Sequence, residues 1–294
     1  MRRLLLAILC LALTACGLSS PAGAGGSKLE VVAAENFWGS IATQIAGDRA
    51  HVTSIVVNPD TDPHAYEATP GDARTIARAQ YVIVNGAGYD PWAPKLLDAD
   101  PVSGRAVLTV ADMFGKKEGD NPHLWYSPGY VDQVVDRIAS DLAKLDPAGA
   151  AYFQQQGSAY KSLGLKDYHG AIDTIRQKYS GTRVGASESI FSYLAEATGL
   201  NLITPYGFLN AISEGSDPTA ADKTQTEDQI ATRQIKVFVF NSQNLTPDVQ
   251  ALVDAAKAQG IPVTTVTETL APANATFQDW QTGQLRNLLT ALGG

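Results

Sequence analysis

Short apolar runs of strand character alternate with helically spaced segments along nearly the whole chain, and the alternation is interrupted only once. In the first half the strand-like runs are Leu29–Ala34, Val52–Val57, Tyr81–Val84 and Ala106–Val110. Helical patterns at Phe37–Gly47, Pro70–Ala79 and Trp92–Leu97 separate them, and Gly129–Leu145 repeats Val131, Val134, Val135, Ile138 and Leu142 on one face. Strand runs return at Thr182–Ala186, Asn201–Thr204, Ile235–Phe240 and Pro262–Val266, with helical patterns at Phe191–Ala197, Pro218–Arg233, Pro247–Gln259 and Trp280–Leu292. Strands joined through helices must run parallel, with right-handed crossovers. The expected fold is therefore α/β, with two lobes, each a parallel sheet flanked by helices. The helical stretch Ala148–Tyr179 between the two sets predicts a long connecting helix, although Gly157, Gly164 and Gly170 weaken its continuity. The expected divisions are an N-terminal lobe over 28–147, the connecting helix over 148–180 and a C-terminal lobe over 181–294.

Residues 1–27 carry a different signal. Arg2 and Arg3 precede an apolar run, Leu4–Leu13. That run is shorter than the roughly 20 residues of a membrane-spanning helix and reads as a secretory signal peptide over 1–15. It ends Leu13-Thr14-Ala15-Cys16-Gly17, which resembles a bacterial lipobox. The resemblance implies cleavage before Cys16, a lipid on that cysteine, and an extracytoplasmic protein anchored to the membrane. Residues 16–27, rich in Ser, Gly, Ala and Pro, read as a flexible tether. The second of the two cysteines, Cys10, falls in the removed segment. Disulfides, cysteine zinc sites and cysteine nucleophiles are thereby excluded from the mature chain. The formal charge of −8 disfavours nucleic acid and anionic lipid as partners. It is compatible with attracting cations, and equally with simple solubility.

Two of the four histidines sit in matching settings, Asp62-Pro63-His64-Ala65-Tyr66 and Asn121-Pro122-His123-Leu124-Trp125. Proline fixes its own φ and stiffens the loop, so each imidazole is aimed in a defined direction. Ligands of open parallel sheets bind beyond the carboxyl ends of the strands. His64 and His123 follow strands of the first half, and Glu188 and Glu268 follow strands of the second. Two imidazoles and two carboxylates facing one cleft would suit a divalent metal ion, whose charge the carboxylates balance. Plainer readings stand beside this one. The histidines could be ordinary loop residues, Glu188 a carboxylate at a helix start, and Glu268 a surface acid. His51 and His169 lack the Pro-His setting and read as structural. Trp38, Trp92 and Trp125 read as packing residues, and Asp90 and Glu67 as capping or outer-shell groups. Asn241 is a further polar residue at a strand end.

The motifs Ala34-Glu35-Asn36-Phe37, Asp62-Pro63-His64 with Glu67 and Pro70, Asn85-Gly86-Ala87-Gly88, Asn121-Pro122-His123-Leu124-Trp125, and Ser187-Glu188 with Phe191 and Tyr193 occur in that order. With Glu214 and Pro218 they resemble the zinc/manganese cluster A-I family of metal-binding solute receptors that serve ABC importers. The resemblance implies a non-enzymatic, monomeric lipoprotein that captures one divalent ion, Mn2+ or Zn2+, as cargo for an ABC permease. It implies His64, His123, Glu188 and Glu268 as the ligands. The family usually has aspartate at the fourth position, where this chain offers glutamate. Carboxylate is the harder donor and can bind through both oxygens, which favours manganese over zinc here. The competing readings are a secreted metallohydrolase and a surface adhesin with a structural metal. The first lacks a His-Glu-x-x-His motif.

Overall fold

The computed structural model describes residues 28–59, 61 and 65–294. The expected signal peptide, Cys16, the tether and His64 lie outside the described residues. The first sheet contains β1 (Leu29–Glu35), β2 (Ala50–Val56), β3 (Tyr81–Val84) and β4 (Ala106–Thr109) in the order β2-β1-β3-β4, with all pairs parallel. The second contains β5 (Arg183–Ala186), β6 (Asn201–Leu202), β7 (Phe238–Asn241) and β8 (Val263–Val266) in the order β6-β5-β7-β8, again parallel. The two lobes thus share one strand order. Around the first sheet lie α1 (Asn36–Ala46), α2 (Pro70–Arg78), α3 (Trp92–Ala99), α4 (Val110–Met113) and α5 (Pro128–Leu145). The connection is α6 (Ala150–Ala159) and α7 (Lys166–Tyr179), and the second sheet carries α8 (Ser192–Thr198), α9 (Tyr206–Ser213), α10 (Ala220–Ala231), α11 (Pro247–Ala258) and α12 (Phe277–Leu292).

The strand sequences explain the layering. Along β1, Val31 and Ala33 face one side and Val32 and Ala34 the other, and these pairs join different apolar clusters. β3 is buried along its whole length, as a central parallel strand covered on both faces must be. Helix starts are set by threonines. Thr69, Thr219, Thr246 and Thr276 each accept a backbone N–H in the first turn of α2, α10, α11 and α12. The largest apolar cluster does not stop at the lobe boundary. It runs from Val31, Phe37 and Ile41 through Trp125 and the α5 face to Tyr168, Phe191 and Leu285. The lobes therefore share one core, which opposes large hinge motion between them.

The connecting stretch is helical but divided. A wide π-type turn at Tyr160–Gly164 separates α6 from α7. Glycines fit the packing there. A Cβ on Gly157 would meet Ala139 at 3.0 Å, and one on Gly164 would meet the Tyr160 ring at 2.8 Å. The short helices α4 and α9 escape the periodicity of the sequence. α4 spans four residues, too few to show a period, and α9 carries Gly207 in its first turn.

Candidate metal site

The carboxyl ends of both sheets meet in a buried polar seam. Among the described residues one group of side chains could hold a metal ion, His123, Glu188 and Glu268, with one ligand atom from each lying within 4.8 Å of the others. Their exposures are 0%, 1% and 5%, so the acids are not surface residues. His123 belongs to the first lobe, and Glu188 and Glu268 to the second. His51 lies exposed on β2, and His169 sits 3.2 Å from Asp132 on the connecting helices, away from this group.

His123 is oriented by its own motif. Asn121 donates from Nδ2 to the Ser189 carbonyl at 2.7 Å, which directs its Oδ1 toward His123. That oxygen accepts the His123 backbone N–H at 3.1 Å and lies 2.8 Å from Nδ1. Nδ1 therefore carries the proton and Nε2 keeps the lone pair that a metal needs, the usual arrangement for an outer partner of a ligand histidine. Asn85 ties down the preceding residue by donating to the Pro122 carbonyl at 2.9 Å. The imidazole edge rests on the rings of Tyr89 and Trp125. Trp125 in turn stacks on Phe37 at 3.9 Å, so the expected packing role of this tryptophan supports the site directly.

Glu188 follows β5 in extended backbone, with φ −155° and ψ 171°. Its side chain makes no capping hydrogen bond to the short helical turn Ser189–Phe191, so a capping role does not account for it. The flanking residues fix its backbone. Ser187 donates to Val239 O at 2.9 Å, and Ser189 donates to Ser213 Oγ at 3.1 Å. Glu268 is held more heavily. Gln243 Oε1 accepts the N–H groups of Glu268 and Thr269 at 2.8 and 3.0 Å. Trp280 and Tyr126 clasp Thr267 through its hydroxyl and carbonyl. Asn241 donates to Glu268 Oε1 at 2.9 Å, and Tyr89 donates to Oε2 at 3.0 Å. The strand-end asparagine noted in the sequence thus holds a carboxylate of the group.

Beneath the first lobe's share of the seam lie two more buried acids, Glu35 and Asp90. Burial and the adjacent Asp90 carboxyl push Glu35 well above the ordinary carboxylate range. Burial also raises Asp90, although its oxygens accept the N–H groups of Asn85 and Gly86 at 2.7 and 2.8 Å. Asp90 is thus a turn cap, as its position suggested, while Glu67 is exposed. Gln243, Tyr89 and Asn121 carry no charge, so their residue type does not mark them as parts of a metal site. Only Asn121, inside the Pro-His motif, left a signal.

A neutral imidazole and two carboxylates at this spacing can bind a divalent cation and balance its charge, and the donor set is that of a first-row metal. Comparison with known proteins points the same way. The family model for zinc-uptake complex component A, periplasmic, matches residues 31–291. The manganese-binding lipoprotein MntA of Halalkalibacterium halodurans is 29% identical over 65% of this chain and 64% of its own length. The high-affinity zinc uptake system protein ZnuA of Bacillus subtilis is 26% identical over 78% of this chain and 77% of its own. Among solved structures, the periplasmic metal-binding protein of Candidatus Liberibacter asiaticus aligns with a TM-score of 0.76 and 22% identity, covering 90% of this chain and all of that one. Its likeness carries the two-lobe fold. Members of the matched family are transport solute-binding proteins and not enzymes. With the family model spanning both lobes and the whole seam between them, the chain belongs to the zinc-uptake component A family of metal-binding solute receptors.

Proposed function

We propose that this protein captures one divalent metal ion between its lobes and delivers it to the permease of an ABC importer. The ligands in this reading are His64, His123, Glu188 and Glu268, with the fourth place taken by glutamate. The observation that carries it is the buried convergence of His123, Glu188 and Glu268 from two lobes. Their convergence supports the reading because one imidazole and two carboxylates at this spacing supply both the donors and the charge balance for a divalent ion. Manganese is favoured over zinc on the hardness of the carboxylate donors. In this reading the protein works as a monomer, tethered outside the cytoplasm by lipid on Cys16, with lobes over 28–147 and 181–294 and the connection over 148–180. No described helix is long and apolar enough to cross a membrane, which is compatible with a lipid tether.

The test is equilibrium binding of Mn2+ and Zn2+ to purified apo protein. His123→Ala and Glu188→Ala should each lower affinity for both ions at least a hundredfold. Unchanged affinity in either variant would remove the assignment. Selectivity is tested separately, by loading from an equimolar mixture at buffered free-ion levels typical of each metal.

A further inference from the structure

We propose that Tyr89 is a positioning residue for metal capture, reaching from the first lobe to hold the Glu268 carboxylate of the second. The proposal rests on the reading of Glu268 as a ligand. Tyr89 lies at the end of a turn that sequence alone does not connect to the acid. Gly86, Ala87 and Gly88 take φ values of 79°, 54° and 82° in succession, and Ala87 pays the steric cost of a left-handed residue with a Cβ. A Cβ on Gly86 would come within 2.7 Å of Thr109 and 2.9 Å of Ala111. Tyr89 N–H donates to Gly86 O at 3.1 Å, and the Asp90 carboxylate closes the turn from below. This is a rigid mount. The ring it carries is fully buried and packs against Phe37, Trp125 and the His123 imidazole. At its tip, Oη donates to Glu268 Oε2 at 3.0 Å.

The consequence lies in how the carboxylate meets an ion. Asn241 donates to one oxygen of Glu268 and Tyr89 to the other, so the plane of the carboxylate is fixed before metal arrives. Tyr89 also packs against His123, the first-lobe member of the same group. One side chain thereby sets the relation between a first-lobe and a second-lobe ligand. Removing the hydroxyl alone leaves the packing and frees Glu268 to turn. Loss of an outer partner of a metal ligand typically costs 10–100-fold in affinity.

The experiment is a double-mutant cycle with Tyr89→Phe, Glu268→Ala and the pair, titrated with Mn2+ and with Zn2+, and with apo thermal stability measured alongside. Tyr89→Phe should weaken binding about 10–100-fold. It should speed metal release and alter the zero-field splitting of bound Mn2+ in its electron paramagnetic spectrum. In the Glu268→Ala background it should have little further effect. If Tyr89→Phe binds like wild type while Glu268→Ala binds weakly, the role of Tyr89 is wrong and the ligand reading survives. If Tyr89→Phe weakens binding equally in both backgrounds, the hydroxyl does not act through Glu268 and the proposal fails. If Glu268→Ala itself binds like wild type, Glu268 is not a ligand, and both readings fall.

Discussion

Replacing Gln243 by leucine removes the anchor of the Glu268 loop and leaves the side chains of His123, Glu188 and Glu268 unchanged. Gln243 Oε1 is the acceptor for two consecutive backbone N–H groups, those of Glu268 and Thr269, at 2.8 and 3.0 Å. Its Nε2 donates to Thr269 Oγ1 at 3.0 Å. Leucine fills similar space and accepts nothing. A buried donor left without a partner costs about 1–3 kcal/mol. Glu268 and Thr269 are buried, but Gln243 is only half-buried, so water can reach part of the gap. We therefore expect about 2–4 kcal/mol in total. In a chain of this size 1 kcal/mol moves Tm by about 2 °C, which gives a fall of about 4–8 °C. The assay is thermal unfolding of apo protein in chelator, followed by Zn2+ titration of the folded variant. Binding should weaken at least tenfold, because the Glu268 backbone is no longer fixed. Gln243→Glu is the control. Its carboxylate can still accept both N–H groups, so its Tm should fall less. A leucine variant that melts within 1 °C of wild type and binds Zn2+ equally would refute the claim that this side chain positions Glu268.

Two further outcomes follow from the same network. Glu35 keeps its proton in the folded state at pH values where the unfolded chain, near the ordinary 4.5, has lost it. Its contribution to stability is therefore full below about pH 4.5 and declines as pH rises toward the folded value, by at most about 1.4 kcal/mol per pH unit. Glu35→Gln removes that decline, so urea unfolding should show the variant gaining on wild type from pH 5 to 8, and parallel profiles would contradict it. Asn121→Ala takes away the acceptor that holds the proton on His123 Nδ1. Nitrogen chemical shifts of the imidazole should then report mixed tautomers, with metal affinity reduced about 10–100-fold, whereas an unchanged single tautomer would show that Asn121 does not set it.

Much of the architecture is legible in the residues because buried parallel strands are written as short apolar runs. Tyr81–Val84, buried along its whole length, is the clearest case, and two sets of such strands separated by a helical stretch yield two lobes. The break in the connection is less legible. Gly157 and Gly164 warn of it, but the close approach of Gly157 to Ala139 and of Gly164 to the Tyr160 ring is a packing detail that spacing does not reveal. The Pro-His motif and the strand-end positions single out His123, Glu188 and Glu268, and the structure brings these three side chains together. His64 lies outside the described residues. What sequence reasoning misses is the uncharged frame. Gln243 and Tyr89 each make one hydrogen bond to Glu268, and Asn36 reaches across to accept the Leu270 N–H at 3.2 Å. Such contacts join residues far apart in the chain, and nothing in a neutral side chain's local setting announces its distant partner.

In the proposed function a divalent ion sits where the two lobes bring His123, Glu188 and Glu268 together. The most direct measurement is anomalous diffraction from crystals of the apo protein soaked in Zn2+, and then in Mn2+. The prediction is one strong peak for each metal at the same place, with zinc about 2.0–2.2 Å from His123 Nε2 and from carboxylate oxygens of Glu188 and Glu268. A peak elsewhere on the surface, with the space between these three residues empty, would contradict it.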